Sequence, residues 1–251
     1  MRIVLFYLMK KILQKINNYI IPTIKRMAHK RGFILPRRYK RGEKYEQRFN
    51  RNNVDKFLYF QRMLNRVSGI EGDIVECGIG RGKTFQILAL LAEREEKERR
   101  LWGFDSFEGF PEPSNEDRNN LVANRDTRRG GWHKMNESDV FDLLDFVQID
   151  KDFVKNNVKI VRGFFENSLP QAEIGKIALL HLDVDLYQSY KDCLTHLFPK
   201  VASGGVILFD ERESETYPGG KKAVDEFFRG SPHLSRIEME PTVKKHFLVK
   251  E

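Results

Sequence analysis

Asp73-Ile74-Val75-Glu76-Cys77-Gly78-Ile79-Gly80-Arg81-Gly82 is an apolar run closed by an acidic residue and then by glycines at every second position. Lys83 to Glu98 follows as a helix whose second half is almost entirely charged. A short strand passing through a glycine turn into a helix is the opening unit of an α/β domain. The same alternation continues outward. Strands are expected at Leu101 to Asp105, Val158 to Arg162, Ile177 to Asp183 and Val206 to Asp210, with two late ones near Leu234 to Met239 and Lys245 to Val249. Helices are expected at Ser138 to Lys155, Gln188 to Phe198 and Lys221 to Phe228, with a turn at Gly204-Gly205. Ile177 to Asp183 is apolar nearly throughout, as a strand covered on both faces should be. The pattern predicts a doubly wound, mostly parallel seven-stranded sheet with helices on both faces. Ligands then belong beyond the carboxyl ends of the strands.

At 251 residues and 40% hydrophobic content the chain can bury one sizeable core. Its net charge of +8 is unevenly divided: residues 1–51 hold 15 Lys and Arg against Glu43 and Glu46, a balance of +13, which leaves −5 for the rest. The expected organisation is therefore a basic helical arm over residues 1–55 and a catalytic-type domain over 56–251. In the arm, Leu13, Ile16, Tyr19, Ile20, Ile24 and Met27 recur at roughly helical spacing, with Pro22 as a break. The apolar run Ile3 to Met9 is too short to span a bilayer, and the lysines after it do not fit a secretory signal. Two cysteines, Cys77 and Cys193, make no disulfide framework, so a reducing cytoplasm is expected. The arm is suited to peripheral contact with the anionic inner face of a membrane, or to self-association into a homo-oligomer.

The glycine loop lacks the G-x-G-x-x-G spacing that places a pyrophosphate on a helix N-terminus. Glycines at Gly78, Gly80 and Gly82 would let backbone approach a ligand closely. An acid at Glu76 would repel a phosphate but suits a cationic ligand, and S-adenosylmethionine carries an ammonium and a sulfonium. Asp105, at the end of the next strand, stands where an acidic side chain can accept hydrogen bonds from ribose hydroxyls.

His181-Leu182-Asp183-Val184-Asp185-Leu186-Tyr187 sets two carboxylates at the end of an apolar strand, where alternation in an extended chain would point both to one side. The following strand ends in Asp210-Glu211. If the two strands are neighbours, four acids meet at one edge and repel. A hard divalent cation such as Mg²⁺ relieves that repulsion with oxygen ligands. It also activates a hydroxyl whose own pKa is near that of water, about 15.7, and a nearby carboxylate can take the proton.

These strings resemble the macrocin O-methyltransferase (TylF-type) family of class I S-adenosylmethionine-dependent methyltransferases. The resemblance runs from about Gly72 to Phe228 and rests on Ile74-Val75-Glu76-Cys77-Gly78, on Trp102-Gly103-Phe104-Asp105-Ser106-Phe107-Glu108-Gly109-Phe110-Pro111, and on Leu182-Asp183-Val184-Asp185-Leu186-Tyr187. Pro199, Gly204-Gly205 and Ala223-Val224-Asp225-Glu226-Phe227 extend it. It implies a Rossmann-like fold and Mg²⁺-dependent methylation of a hydroxyl on a sugar-containing small molecule or glycan. Asp183, Asp210 and Glu211 would be metal ligands and Asp185 the general base. Ser106 would join Asp105 at the cofactor, and Gly163 and Phe164 would lie near the adenine. The family usually has Asp-Asp where this chain has Asp210-Glu211.

The long polar stretch from Pro111 to Gly131 reads as a lid. Trp132 and His133, after Gly130-Gly131, touch substrate or anchor that loop. His181 reads as a hydrogen-bonded core histidine and Cys77 as core filler. Arg94 to Arg100 reads as a solvated helix face. A catechol-type methyltransferase on a phenolic substrate would use the same ligand pattern. A nucleic-acid acceptor is suggested by the basic arm, but base methyltransferases carry Asn/Asp-Pro-Pro-aromatic where Asp183-Val184-Asp185-Leu186 stands, which argues against it.

Overall fold

The computed structural model describes residues 50–95, 97–117, 128–132 and 135–251. The expectations for the arm fall almost wholly on residues 1–49, outside the described residues, as does His133. Seven strands form one sheet: β1 Asp73–Cys77, β2 Leu101–Asp105, β3 Val158–Arg162, β4 Ile177–Leu182, β5 Val201–Phe209, β6 Glu238–Glu240 and β7 Lys245–Val249. Their order is β3-β2-β1-β4-β5-β7-β6. Pairings from β3 through β5 are parallel, and β7 runs antiparallel to both β5 and β6. The order reverses between β1 and β4, which opens a crevice at their carboxyl ends.

Strand alternation divides the core in two. Ile74, Leu101, Leu179 and Leu208 pack with Phe60 and Met63 of α1 (Arg51–Arg66), Phe85 and Leu88 of α2 (Lys83–Ala92) and Leu144 of α3 (Glu137–Phe146). After the short helices α4 (Lys151–Asn157) and α5 (Phe165–Ser168), the opposite face is covered by α6 (Tyr187–Leu197) and α7 (Pro218–Phe227). There Val75, Phe104, Leu180 and Ile207 meet Tyr190, Leu194 and Val224. Each fully buried Leu, Ile or Phe contributes about 1.5–3 kcal/mol. Both cysteines are free and buried among these apolar residues.

Four boundaries differ from the sequence expectation. α2 stops at Ala92, because the charged run beyond it has no apolar stripe to bury; Arg99 instead turns inward, donating to Gly72 O at 2.6 Å, Val67 O at 2.7 Å and Glu95 Oε2 at 2.8 Å. The helix expected over Ser138 to Lys155 is two helices. Gln148 at φ 63° interrupts it, and Asp150 Oδ1 caps α4 by accepting from Asp152 N and Phe153 N at 2.9 Å each. Gly204-Gly205 lies inside β5 as an irregularity of register, Val201 pairing with Ile177 and Val206 with Leu179. Leu234 to Met239 is a 3₁₀ turn, Leu234–Arg236, before the short β6. Among the described residues no helix is long and apolar enough to cross a membrane.

Candidate active site

A cleft of about 620 Å³ opens at the carboxyl ends of β1, β2, β4 and β5. On one side the chain leaves β1 through Gly78, which a side chain could not replace: its Cβ would sit 1.9 Å from Asp183 O, at φ 88°. This close approach lets Cys77 O accept from Asp183 N at 3.0 Å and binds the glycine loop to the acidic segment. Gly80, at φ 55°, is different, because a Cβ there would meet nothing within 4 Å. Its backbone therefore faces open cleft. Asp105 Oδ2 accepts from Gly80 N at 3.0 Å and Oδ1 from Phe107 N at 2.8 Å, so this carboxylate shapes the loop on both sides. Ser106 Oγ donates to Gly109 O at 2.7 Å and accepts from Glu108 N at 3.1 Å, which closes the turn that follows. Gly163 and Phe164 complete this side, with Gly163 N donating to Asp105 O at 3.0 Å.

On the other side β4 and β5 end in register at Leu182 and Phe209, so Asp183 and Asp210 emerge side by side. Asp210 N donates to Leu182 O at 3.0 Å, and the Tyr190 hydroxyl ties the ends together by donating to Leu182 O at 3.2 Å and accepting from Glu211 N at 3.1 Å. Asp183 and Asp185 do not reach the cleft by strand alternation. β4 has already ended, and Asp185 turns back in the left-handed region at φ 57°. Carboxylate oxygens of Asp183, Asp185 and Glu211 lie within 4.8 Å of one another, and Asp183, Asp210 and His181 form a second such group.

The charges in this cluster are unequal. Burial, and then the charge of Asp210, push the Asp183 carboxyl up to about 8. Burial and the charge of Asp183 hold Asp185 well above the usual carboxylate range, and burial raises Glu211. Burial would raise Asp210 too, but His181 and Lys245 outweigh it and hold its carboxyl well below that range. Lys245 Nζ donates to Asp210 Oδ2 at 2.6 Å and to its carbonyl at 2.8 Å. His181 Nδ1 pairs with Glu76 Oε1 at 3.0 Å, and Nε2 lies 3.9 Å from Asp210 Oδ1. Burial opposes a charged imidazole, but the carboxylates of Asp210 and Glu76 raise His181 to about 10. Asp183, Asp185, Asp210 and Glu211 thus form an all-oxygen set of four acids with one closely paired lysine, Lys245, and such a set fits a hard divalent cation.

Of the residues singled out from the sequence, Gly78, Gly80, Asp105, Ser106, Gly163 and Phe164 line the cleft together with Asp183, Asp185, Asp210 and Glu211. Two do not. Glu76 alternates to the face covered by α1, where it is wholly buried and pairs with His181 beneath Phe60; its Oε2 is buried with no partner among the described residues. Gly82 caps α2, and a Cβ there would lie 2.5 Å from Leu143 Cδ2, so it serves helix packing. Lys245 and Asp117 were not found from the sequence. Asp117 Oδ1 accepts from Tyr187 N at 2.7 Å, holding the start of α6 directly after the acidic segment. Neither stands in a motif; each matters only through a partner far along the chain. The expected lid is described at its two ends, where Phe110 N donates to Gly131 O at 2.8 Å and Gly130 N to Phe110 O at 2.9 Å, while residues 118–127 lie outside the described residues. Trp132 lies under the Arg81 guanidinium, 5.4 Å from its carbon to the ring centroid.

The sequence is similar to demethyldecarbamoylnovobiocin O-methyltransferase of Streptomyces niveus, 32% identical over 171 residues that cover 64% of this chain and 59% of that protein. It is also similar to 8-demethyl-8-(2,3-dimethoxy-alpha-L-rhamnosyl)-tetracenomycin-C 4'-O-methyltransferase of Streptomyces olivaceus, 31% identical over 149 residues covering 57% and 54% of the two chains. The match thus spans less than two thirds of either relative's length. Among solved structures, the O-methyltransferase NovP superposes with a TM-score of 0.65 at 25% identity, covering 78% of this chain and 80% of that one. With the sheet order, this likeness gives the Rossmann-like fold of class I methyltransferases. The family profile Macrocin-O-methyltransferase (TylF) matches residues 55–237, and the chain belongs to that family.

Proposed function

We propose that this chain is an O-methyltransferase that moves a methyl group from S-adenosylmethionine to a hydroxyl of a sugar-containing acceptor, with Mg²⁺ at the acidic cluster. One observation carries the reading: a single cleft is lined by the open backbone of Gly80 with Asp105 and also by Asp183, Asp185, Asp210 and Glu211. The rhamnosyl acceptor named for the Streptomyces olivaceus relative supports a sugar hydroxyl. The apolar group of Phe110, Leu186 and Tyr217, with Phe110 and Tyr217 on the cleft wall, offers a surface for the carbon face of a sugar ring.

Gly80 lets the cofactor approach the loop that Gly78 shapes, Asp105 and Ser106 take its ribose side, and Gly163 and Phe164 flank the adenine. Asp183, Asp210 and Glu211 would hold Mg²⁺; Asp210 keeps lone pairs for it beside Lys245, since a carboxylate offers about four acceptor positions. When bound, the ion lowers the pKa of the acceptor hydroxyl. The hydroxyl oxygen forms a bond to the methyl carbon as the carbon–sulfur bond breaks, its electron pair passes to sulfur, and the Asp185 carboxylate takes the proton. Glu76 acts from beneath by fixing His181. For residues 1–30 we propose either peripheral membrane contact or self-association. Liposome sedimentation and solution mass, measured with and without that segment, separate them.

The test is methyl transfer from labelled S-adenosylmethionine to a panel of deoxysugar glycosides and glycan fragments, with Mg²⁺ and with a chelator. Transfer that needs Mg²⁺ is expected. Cofactor binding without transfer to any hydroxyl, or transfer indifferent to the chelator, defeats the respective half of the reading.

A further inference from the structure

The cations around the cleft are not all used alike. Lys245 pairs with Asp210, Lys222 with Glu116, Arg162 with Glu108 and Arg212 with Asp225, and none of these four cations lines the cleft. Lys56, Arg81, Lys83 and Arg129 line the cleft itself, yet among the described residues none of the four has a carboxylate partner. Lys56 and Lys83 come from α1 and α2, on one face of the sheet, and Arg81 from the glycine loop between β1 and α2. Arg129 belongs to the segment that Phe110 and Gly131 tie to the cleft wall. Of the acids lining the cleft outside the Asp183 cluster and Asp105, Glu166 and Asp192 lie on α5 and α6, across the sheet, and Glu112 follows Pro111. The cleft therefore carries four cations without a carboxylate partner among the described residues, besides the carboxylate cluster at the ends of β4 and β5.

Arg81, Lys83 and Arg129 are exposed and Lys56 is half-buried, so water solvates them without a ligand, and a neutral glycoside would make no use of their charge. S-adenosylmethionine carries one carboxylate, which occupies one cation at most. Two guanidinium forks and two ammonium groups match phosphate oxygens, which arginine takes bidentately and lysine as a point charge. We infer that the acceptor is a phosphorylated sugar, its phosphate or diphosphate held by Arg129, Arg81 and the two lysines while its hydroxyl faces the Asp183 cluster. This rests on the methyltransfer reading above. A diphosphate can be joined to a nucleoside or to a prenyl lipid, and both present the same group to these residues.

The full chain is titrated by calorimetry, without Mg²⁺, with inorganic pyrophosphate, uridine diphosphate and geranyl diphosphate, each in the presence of saturating S-adenosylhomocysteine. Binding is expected, and Arg129→Gln and Arg81→Gln should each weaken it by about tenfold or more, the loss of one charge-assisted hydrogen bond. The doubly substituted Lys151→Gln, Lys155→Gln protein removes two positive charges on α4 and should bind as the parent does. Tighter binding of uridine diphosphate than of pyrophosphate identifies a nucleotide sugar, and tighter geranyl diphosphate a lipid-linked one. The inference falls if the parent binds none of the three, if the α4 protein loses as much as Arg129→Gln, or if both arginine variants lose S-adenosylhomocysteine in step with pyrophosphate. Labelled methyl transfer completes the test. Transfer to neutral glycosides only, with sugar diphosphates inert, overturns this inference while leaving the methyltransferase reading intact; absence of cofactor binding overturns both.

Discussion

At the end of β2, Asp105 uses both carboxylate oxygens on backbone N–H groups, Gly80 on one side and Phe107 on the other. At the ends of β4 and β5, Asp183, Asp185 and Glu211 face one another, and the nearest cation to this set, Lys245, stands 3.9 Å from Glu211 and is already held by Asp210. The same residue type is thus a loop former in one half of the cleft and an electrostatic liability in the other. Backbone donors stabilise a carboxylate without any ligand. Clustered acids are stabilised only when a cation or a proton arrives, so the acidic half is where ligand binding must do the most.

That contrast can be broken hardest at Asp183, which belongs to both acid groups. Asp183→Ala should abolish Mg²⁺ binding in calorimetry and lower turnover by about a thousandfold or more, since a bound metal contributes several kcal/mol to such a reaction. An unchanged Mg²⁺ isotherm would remove the acidic half from consideration as a metal site. Asp185→Asn separates ligation from proton transfer. At saturating Mg²⁺ and cofactor it should keep metal affinity within about threefold and lose about a hundredfold to ten-thousandfold in rate. Near-parental turnover there rules out Asp185 as the base, and lost Mg²⁺ makes it a ligand.

Stability sharpens the comparison from beneath. Glu76 and His181 are both buried, so His181→Leu strands a carboxylate and should cost about 3–5 kcal/mol in urea unfolding, whereas Glu76→Leu with His181→Leu should recover much of that. If the paired substitution is no better than the single one, the two side chains are not coupled. The smallest effect is expected in the satisfied half. Asp105→Ala should weaken S-adenosylmethionine by about tenfold while leaving Mg²⁺ affinity alone. Equal cofactor affinity in parent and variant would mean that Asp105 only shapes the loop.

The sequence by itself determined the strand, glycine turn and helix around Gly78 to Gly82, the order of the strands with α2, α6 and α7 among them, and the presence of acids at two strand ends. Those signals are local: periodicity and glycine act over a few residues, and they survive without knowledge of neighbours. They erred where a distant partner decided the outcome, as at Arg99, read as part of a solvated helix face but turned inward to Val67 and Gly72. Tertiary structure alone decided that β4 lies beside β5, that Glu76 faces His181 at a separation of 105 residues, and that Lys245 neutralises Asp210. It also decided which glycine of the loop is structural and which is open to a ligand, since that depends on Asp183 O and Leu143 being near. Side-chain pairing across a sheet follows from register and alternation between strands, and a one-residue change of register would send every one of these groups to the other face.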